Sequence, residues 1–530
     1  MHFAKKNLLS LPIEIIEQIL LYSAVQDVVL CGKTCRKLHS VVTGSLRLEY
    51  KIECHVARIL DCGRKHSELC VRDRLRGVRQ SRRAWRTLRP TVESCIAPTD
   101  GAMEIFGSLY MQKTSDGAGI VLHELPSPSR HLRGRKWALP LLESPFVDFT
   151  YDGAQDLLIS VEKELTVTRL HILSASTGKV HSRASKSFVT VGHSERGYDD
   201  SDIRVYAGLL AFITAEANFY FQDFYVWDWR DGSLLLHLYH QELTWPQPKV
   251  YFTIWDDRRV IIPIPDPLAD GAQLAVFNCF ERRGLHTSFQ SALTSAEYTL
   301  NLPRLRPNIY YDLIDICRDT STMHPTHQRL SASVPTTTPT ASHVAFCPDH
   351  RARLFAVTIY LEDAVAGLTL EHRLMVPWST LDQHLRGRPR VVPWKTWSRG
   401  TRLLSCPAAP EAQPLIFGAC AGRFATAERR ADGRSVAVIY DFPSAEALKI
   451  DMDEAARSRD SEERAVYVLE PLVVDHEASH VWTESFETAL PYRRIVSDIL
   501  LEDDEYLMIS EDCLLIHSKD ERKPIRVISF

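Results

Sequence analysis

From about residue 91 onward the chain is written in short β-branched and aromatic runs, cut by Gly, Pro, Asp and Asn, and such runs form strands. They fall at 104–111, 118–125, 146–151, 156–161, 165–173, 203–214, 219–229, 233–239, 250–255, 258–264 and 273–280. The series resumes at 343–346, 353–360, 370–376, 401–406, 414–418, 422–427 and 434–442, and closes with 495–501, 505–509, 512–517 and 524–530. No long amphipathic helix interrupts it before the charged stretch 445–464.

The runs recur in larger phrases, at 149–179, 203–235, 250–280 and 343–376, the first two with tight turns at Thr177-Gly178 and Asp231-Gly232. A repeat near 40–50 residues with about four strands is the signature of a β-propeller blade. Trp227-Asp228 is the WD dipeptide of such blades, but its blade lacks the Gly-His partner, so the ring is divergent. The phrase count predicts six or seven blades. A ring must hide its edge strands, and residues 524–530 are expected to pair with an early β segment to close it.

Residues 8–48 differ in kind. Leu11-Pro12 opens a helix, since proline is tolerated in a first turn, and Ser10 stands where an N-cap would. Ile15, Ile16, Ile19 and Leu20 recur at spacings of three and four, with Glu14, Glu17 and Gln18 on the wet side. A second helical phrase carries Val28, Cys31, Thr34, Cys35, Leu38 and Val42, with Gly44 as its stop. Forty residues seldom close a core of their own, so this surplus of Leu, Ile and Val needs cover from elsewhere. Each such side chain gains about 1.5–3 kcal/mol on full burial, and three or four make a docking surface. A helical hairpin packed on the chain's own body is the competing reading.

The order Leu11-Pro12-x-Glu14-Ile15, Ile19-Leu20, Val28 and Cys31-x-x-Thr34-Cys35-Arg36-x-Leu38 resembles an F-box. It departs from that family at Asp27-Val28-Val29, where Leu-Leu or Asp-Leu is common, and at Leu38-His39, where a tryptophan often follows; both changes keep apolar character. The resemblance implies docking of a Skp-type adaptor through Leu11, Pro12, Ile15, Ile19, Leu20, Val28, Cys31, Cys35 and Leu38, and through that adaptor a cullin scaffold. With a degenerate ring behind it, the chain is similar to the large F-box families of mushroom-forming fungi. The fold class expected is thus α+β multidomain: a helical F-box at 1–48, a helical linker at 49–90, and a mainly-β, propeller-like domain at 91–530. The function implied is that of a substrate receptor in a Skp–cullin–F-box ubiquitin ligase, its ring holding an unknown target protein. A propeller scaffold that binds partners without directing degradation is the alternative.

In the linker, Val71, Leu75, Val78, Trp85 and Leu88 step at helical spacing among Arg72, Arg74, Arg76, Arg79, Arg82, Arg83 and Arg86. This reads as an amphipathic helix with a solvated arginine face, anchored on the next domain by Trp85, and not as a nucleic-acid patch. A net charge of -4 and a pI near 6.6 also argue against nucleic acid. Cys62, His66 and Cys70 share a helical face, but three ligands on one straight helix cannot close a tetrahedral zinc site. No metal, cofactor or catalytic residue is assigned. Gly192 to Gly197 is one residue too long for a nucleophile elbow, no phosphate loop or H-E-x-x-H occurs, and the acidic run Glu502 to Glu505 reads as a solvated turn.

Twelve cysteines without a C-x-x-C pair read as reduced thiols. Lys5-Lys6 precedes an apolar run, but Pro12, Glu14 and Glu17 break it, so it is not a signal peptide. With no apolar stretch of spanning length, no membrane is expected, and the cytoplasm or nucleus is the expected location. Residues 319–342, rich in Ser, Thr and Pro, read as a mobile insert, and 451–464 as a solvated helix or loop.

Overall fold

The computed structural model describes residues 8–61, 69–99, 101–117, 119–139, 146–192, 200–215, 222–239, 248–266, 271–317, 319–321, 346–386, 390–406, 418–457, 465–520 and 522–530. Strands between Val92 and Ser529 form seven sheets of four or five strands, arranged as a seven-bladed β-propeller. The count settles at the upper of the two expected values.

Blade 1 joins the two ends of the β region: Val92–Ile96 pairs antiparallel with Ile525–Ser529, next to Cys513–Ser518 and Glu505–Ile509. This is the expected closure. Blade 2 is a plain four-stranded meander from Met103–Phe106 to Arg135–Ala138, and blade 3 another from Asp148–Asp152 to Phe188–Gly192. Blade 4 (Asp200–Tyr206 to Ser233–Tyr239), blade 5 (Arg259–Asp266 to Tyr298–Asn301) and blade 6 (Ile309–Cys317 to Arg402–Cys406) borrow strands. Leu285–Ser288 returns to lie parallel on the outer edge of blade 4, and Val391–Val392 does the same on blade 5. The run 250–255, expected as one strand, divides: Lys249–Val250 pairs in blade 6 and Thr253–Ile254 in blade 5. Blade 7 runs from Ala419–Cys420 to Tyr492–Leu501.

Each pair of neighbouring blades traps its own apolar cluster, so the ring has seven wedges of core and no single centre. Between blades 4 and 5, for example, the rings of Phe224 and Phe252 lie 4.8 Å apart. This is why strands such as Leu209–Ala215 are buried along their whole length and read as unbroken apolar runs.

The N-terminal head has four helices: α1 (Ile13–Tyr22), α2 (Val25–Thr34), α3 (Arg36–Gly44) and α4 (Leu46–Val56). Pro12, not Ser10, holds the N-cap position of α1, and Ser10 ends the preceding turn. The second helical phrase is broken in two at Cys35, whose backbone is extended. The α1 C-terminus is sealed from α4: the Lys51 ammonium donates to the carbonyls of Leu20, Leu21 and Ser23, where a cation suits the helix dipole.

Helix α5 (Val71–Thr87) carries the head on the ring. Trp85 is buried against Phe530, with ring centroids 4.7 Å apart, and the Arg423 guanidinium lies over its indole. The expected anchor is in place. The arginine face is only partly solvated, because Arg74 and Arg82 are buried in ion pairs with Asp61 and with Glu53 and Asp451. At Gly77 the helix touches the turn Pro128–Arg130 so closely that a Cβ would stand 2.6 Å from the Ser129 carbonyl oxygen. Gly77→Ala is therefore expected to lift α5 from blade 2, at a cost of about 1–3 kcal/mol. Faster proteolytic separation of head and ring would report it.

Candidate functional site

Helix α1 shows two apolar faces, and the fold uses only one. Ile16 and Leu20 turn inward, onto Val28, Leu38, Val41, Val42 and Leu48, which together form the core of the head. Pro12, Ile15, Ile19 and Tyr22 lie on the neighbouring side, about a quarter-turn round, at spacings of three and four, the pattern of one helical stripe. Ile15 is 47 % exposed, Ile19 41 % and Tyr22 91 %. Ile13 and Leu30 add further exposed apolar surface on α1 and α2.

The nine residues expected to dock a partner therefore divide. Pro12, Ile15 and Ile19 are open to solvent. Leu11, Cys31 and Cys35 are half-buried against the core of the head. Leu20, Val28 and Leu38 are buried at 2 %, 0 % and 6 % exposure, within the core of the head. Tyr22, Ile13 and Leu30 are exposed apolar side chains that lie outside that expected set. Tyr22 had a legible signal, since it stands three residues past Ile19 and seven past Ile15.

The stripe is held at a fixed attitude to the ring by an ion-pair ladder. Glu49 and Glu53 of α4 take Arg79, and Glu53 also takes Arg82 of α5. Arg82 reaches Asp451 at 3.4 Å, on the helix Ala445–Arg457. Asp451 takes Arg493 of blade 7 at 3.0 Å, and Arg493 takes Asp441. Asp441 closes the ladder by pairing with Arg58, just beyond α4. Burial alone would raise the Asp441 carboxyl, but Arg58, Arg493 and Arg423 hold it well below the usual carboxylate range. Asp451, expected on a solvated stretch, is thus an interior link; residues 458–464 of that stretch lie outside the described residues.

A second clamp lies beside it. Ile59–Asp61 pairs antiparallel with Phe346–Pro348, which follows the 319–342 insert. The insert also starts tied down: Thr320 is buried, its N–H donates to the Ala419 carbonyl, its hydroxyl to that of Ile509, and its own carbonyl accepts from Gly107 N–H. Residues 319–321 thus bridge blades 7, 1 and 2 and are not part of a mobile spacer; 322–342 lie outside the described residues. All these contacts sit at one end of the ring, which leaves the loops at the other end clear of the head.

Other candidate sites remain unassembled. Cys62 and His66 lie outside the described residues, and among those described no group of three or more His, Cys, Asp and Glu is placed to hold a metal. Of the 192–197 segment only Gly192 is described. In the acidic run, Glu502 and Asp504 share the Lys523 ammonium. No described helix is long and apolar enough to cross a membrane.

Residues 8–49 match the family described as F-box domain. An F-box domain indicates an adaptor role in ligases of the Skp–cullin–F-box type, and it is the part that binds a Skp-type adaptor. No curated protein matches the chain. Among solved structures it is similar to Kluyveromyces lactis Hsv2, at 12% identity over 34% of this chain and 58% of that one, with a TM-score of 0.22. The chain thus spans less than two thirds of that protein. It is also similar to the Kuenenia stuttgartiensis hydrazine synthase, at 9% identity over 83% of this chain and 97% of that one, TM-score 0.33. A third is a puromycin-hydrolyzing peptidase of Mycobacterium tuberculosis, at 11% identity over 67% of this chain and 50% of that one, TM-score 0.23.

Proposed function

We propose that this F-box and propeller chain is the substrate receptor of a Skp–cullin–F-box ubiquitin ligase. The observation that carries the reading is the stripe Pro12, Ile15, Ile19 and Tyr22, an apolar helix face left uncovered on a head whose own core is already closed. A Skp-type adaptor supplies the missing cover and links the head to a cullin. The ring holds a target protein on its free end, away from the head. The ion-pair ladder and the strand clamp keep target and ubiquitin-charged enzyme at a set spacing. The chain contributes proximity, not a catalytic group.

Capture of a recombinant Skp-type adaptor by the full chain tests this. Ile15→Asp with Ile19→Asp forfeits the remaining burial of two aliphatic side chains, about half of the roughly 1.5–3 kcal/mol that full burial of each is worth, and puts two carboxylates into an apolar contact that would have to desolvate them. Binding should fall by about a hundred-fold or more, with the melt unchanged because both side chains are exposed in the free chain. Adaptor binding that survives this pair of changes defeats the reading.

A further inference from the structure

Phe188–Gly192 is the outermost strand of blade 3, and only one of its two sides is paired. Ile172 N–H donates to the Ser187 carbonyl, and main-chain direction alternates along an antiparallel ladder. Val189 and Val191 therefore turn their N–H and C=O groups inward to Val167–Ser174, and Phe188, Thr190 and Gly192 turn theirs outward. Among the described residues nothing pairs with that outward row. The side chains of Val189 and Val191 are buried, whereas Phe188, Thr190 and Gly192 are exposed.

The other blades show how this fold treats such an edge. Blades 4, 5 and 7 each gain a fifth strand on it: Leu285–Ser288, Val391–Val392 and Ala465–Val468. The outer strand of blade 6 is met by the 470–488 segment, with Leu403 N–H on the Thr488 hydroxyl and the Arg402 guanidinium on the Glu470 carbonyl. The outer strands of blades 1 and 2 carry exposed charges, Glu93 on one and Arg135 and Lys136 on the other, and such charges discourage strand addition. Among the described residues the edge of blade 3 has neither a cover nor a charge.

Blade 4 turns the vacant position into a slot. It is one strand wider than blade 3, and rings line the extra width. Tyr225 and Trp227 share a buried wedge with Val189 and Val191. His237 stacks on Tyr225 at 4.2 Å, His286 lies beside His237 with their Nδ1 atoms 2.8 Å apart, and Tyr239 stacks on His286 at 4.8 Å. The row thus starts in the shared wedge and ends on the fifth strand of blade 4, beyond the last strand of blade 3. Ser185 N–H donates to the Arg230 carbonyl at 2.7 Å and the Lys186 ammonium to the Gly232 carbonyl at 3.1 Å, which sets the start of the edge against blade 4. The edge runs toward the free end of the ring. Gly192 stands opposite Val167, and the far end of Val167–Ser174 meets Asp156, in the turn whose Gln155 amide donates to the Ala207 carbonyl. Next to Ala207 is Tyr206, whose ring lies under Arg353, and Arg353 follows the turn whose Asp349 N–H donates to the Arg58 carbonyl of the head.

We propose that an extended segment of the target protein adds to Phe188–Gly192 as the fifth strand of blade 3, turning aromatic or β-branched side chains onto Tyr239 and His286. This rests on the reading of the ring as the target-binding part. Main-chain pairing supplies affinity in such strand addition, and alternate side chains supply specificity. The chain's own covers are two or four residues long, so a short segment suffices. The full-length protein is applied to immobilised octapeptides that alternate Val or Thr with Tyr or Phe, and to a matched set with Lys or Asp at the alternating positions. Skp-type adaptor capture is run on the same preparation. Wild type should retain the neutral set and pass the charged one. Thr190→Pro removes only an outward N–H, as an edge strand tolerates, and should weaken retention by about ten-fold or more with an unchanged melt. Thr190→Lys, a charge on an exposed side chain, should do the same and decides the matter if the proline variant melts early. N-methylation of alternate peptide amides should abolish retention in one register and spare it in the other, since only every second N–H faces the edge. His286→Ala should erase the preference for Tyr and Phe. The inference fails if wild type retains no neutral peptide, if both Thr190 variants retain them as wild type does, or if the two methylation registers behave alike. A dimer in sedimentation velocity that Thr190→Lys dissolves, with no peptide retained, would assign the edge to a second copy of the chain and also overturn it. Adaptor capture alongside any of these failures leaves the ligase reading standing. Peptide retention without adaptor capture sinks the ligase reading and keeps the edge.

Discussion

A chain lacking residues 524–530 is expected to lose its cooperative melt altogether. Ile525–Ser529 is not an edge strand: it is bonded on one side to Val92–Ile96 and on the other to Cys513–Ser518. Its removal strips partners from both neighbours and leaves two unpaired edges, that of Cys513–Ser518 rich in Leu and Ile, which invite pairing with other chains. The side chains of Ile525, Val527, Ile528 and Phe530 are all buried, in the wedges on either side of blade 1. At about 1.5–3 kcal/mol each, their loss approaches the whole net stability of an ordinary domain, about 5–15 kcal/mol. Phe530 also packs on Trp85, so the same deletion loosens the seat of α5. Circular dichroism melts and the soluble yield of the truncated chain measure the effect. A truncated chain that is soluble and melts like the full one would show that the ring closes by other means.

The architecture was legible in the sequence because a blade repeats a local pattern: four short apolar runs and tight turns, over and over. Closure by 524–530 was legible too, since a ring has to end somewhere and an apolar terminal strand is costly to leave open. Borrowed strands were not. Lys249–Val250 and Val391–Val392 are two residues long and pair across blades, so no period marks them. The ladder was hidden for a different reason. Charged residues such as Arg82, Asp441, Asp451 and Arg493 look like a solvated surface until packing brings them together. On the head, the helical spacing was plain, but both Ile15 with Ile19 and Ile16 with Leu20 fit an inward face. Only the partners of Ile16 and Leu20, brought from α2 and α3, decide which pair is left for a visitor.

Asp441→Asn is expected to destabilise the chain by about 3–5 kcal/mol, the usual cost of breaking one side of a buried ion pair. The carboxylate pairs directly with Arg58 and Arg493 and lies near Arg423 at 3.9 Å, so three guanidinium groups would converge on a neutral amide. The loss has a pH signature. The folded chain holds the Asp441 carboxyl below its ordinary range, near 3.9. Around and below that value the unfolded chain therefore binds the extra proton first. The stabilisation is complete above the ordinary range and is lost as pH falls toward the depressed folded value. Denaturant melts at pH 7 should show the full difference between wild type and Asp441→Asn, and melts at decreasing acid pH should show it shrink. Because Arg58 follows α4 of the head and Arg493 belongs to the ring, the variant should also let the head swing. Small-angle scattering should then report a larger radius of gyration, while adaptor capture by the exposed α1 stripe persists. An unchanged radius together with a full-strength melt would mean that the strand clamp at Ile59–Asp61 and the Trp85 anchor fix the head without the ladder.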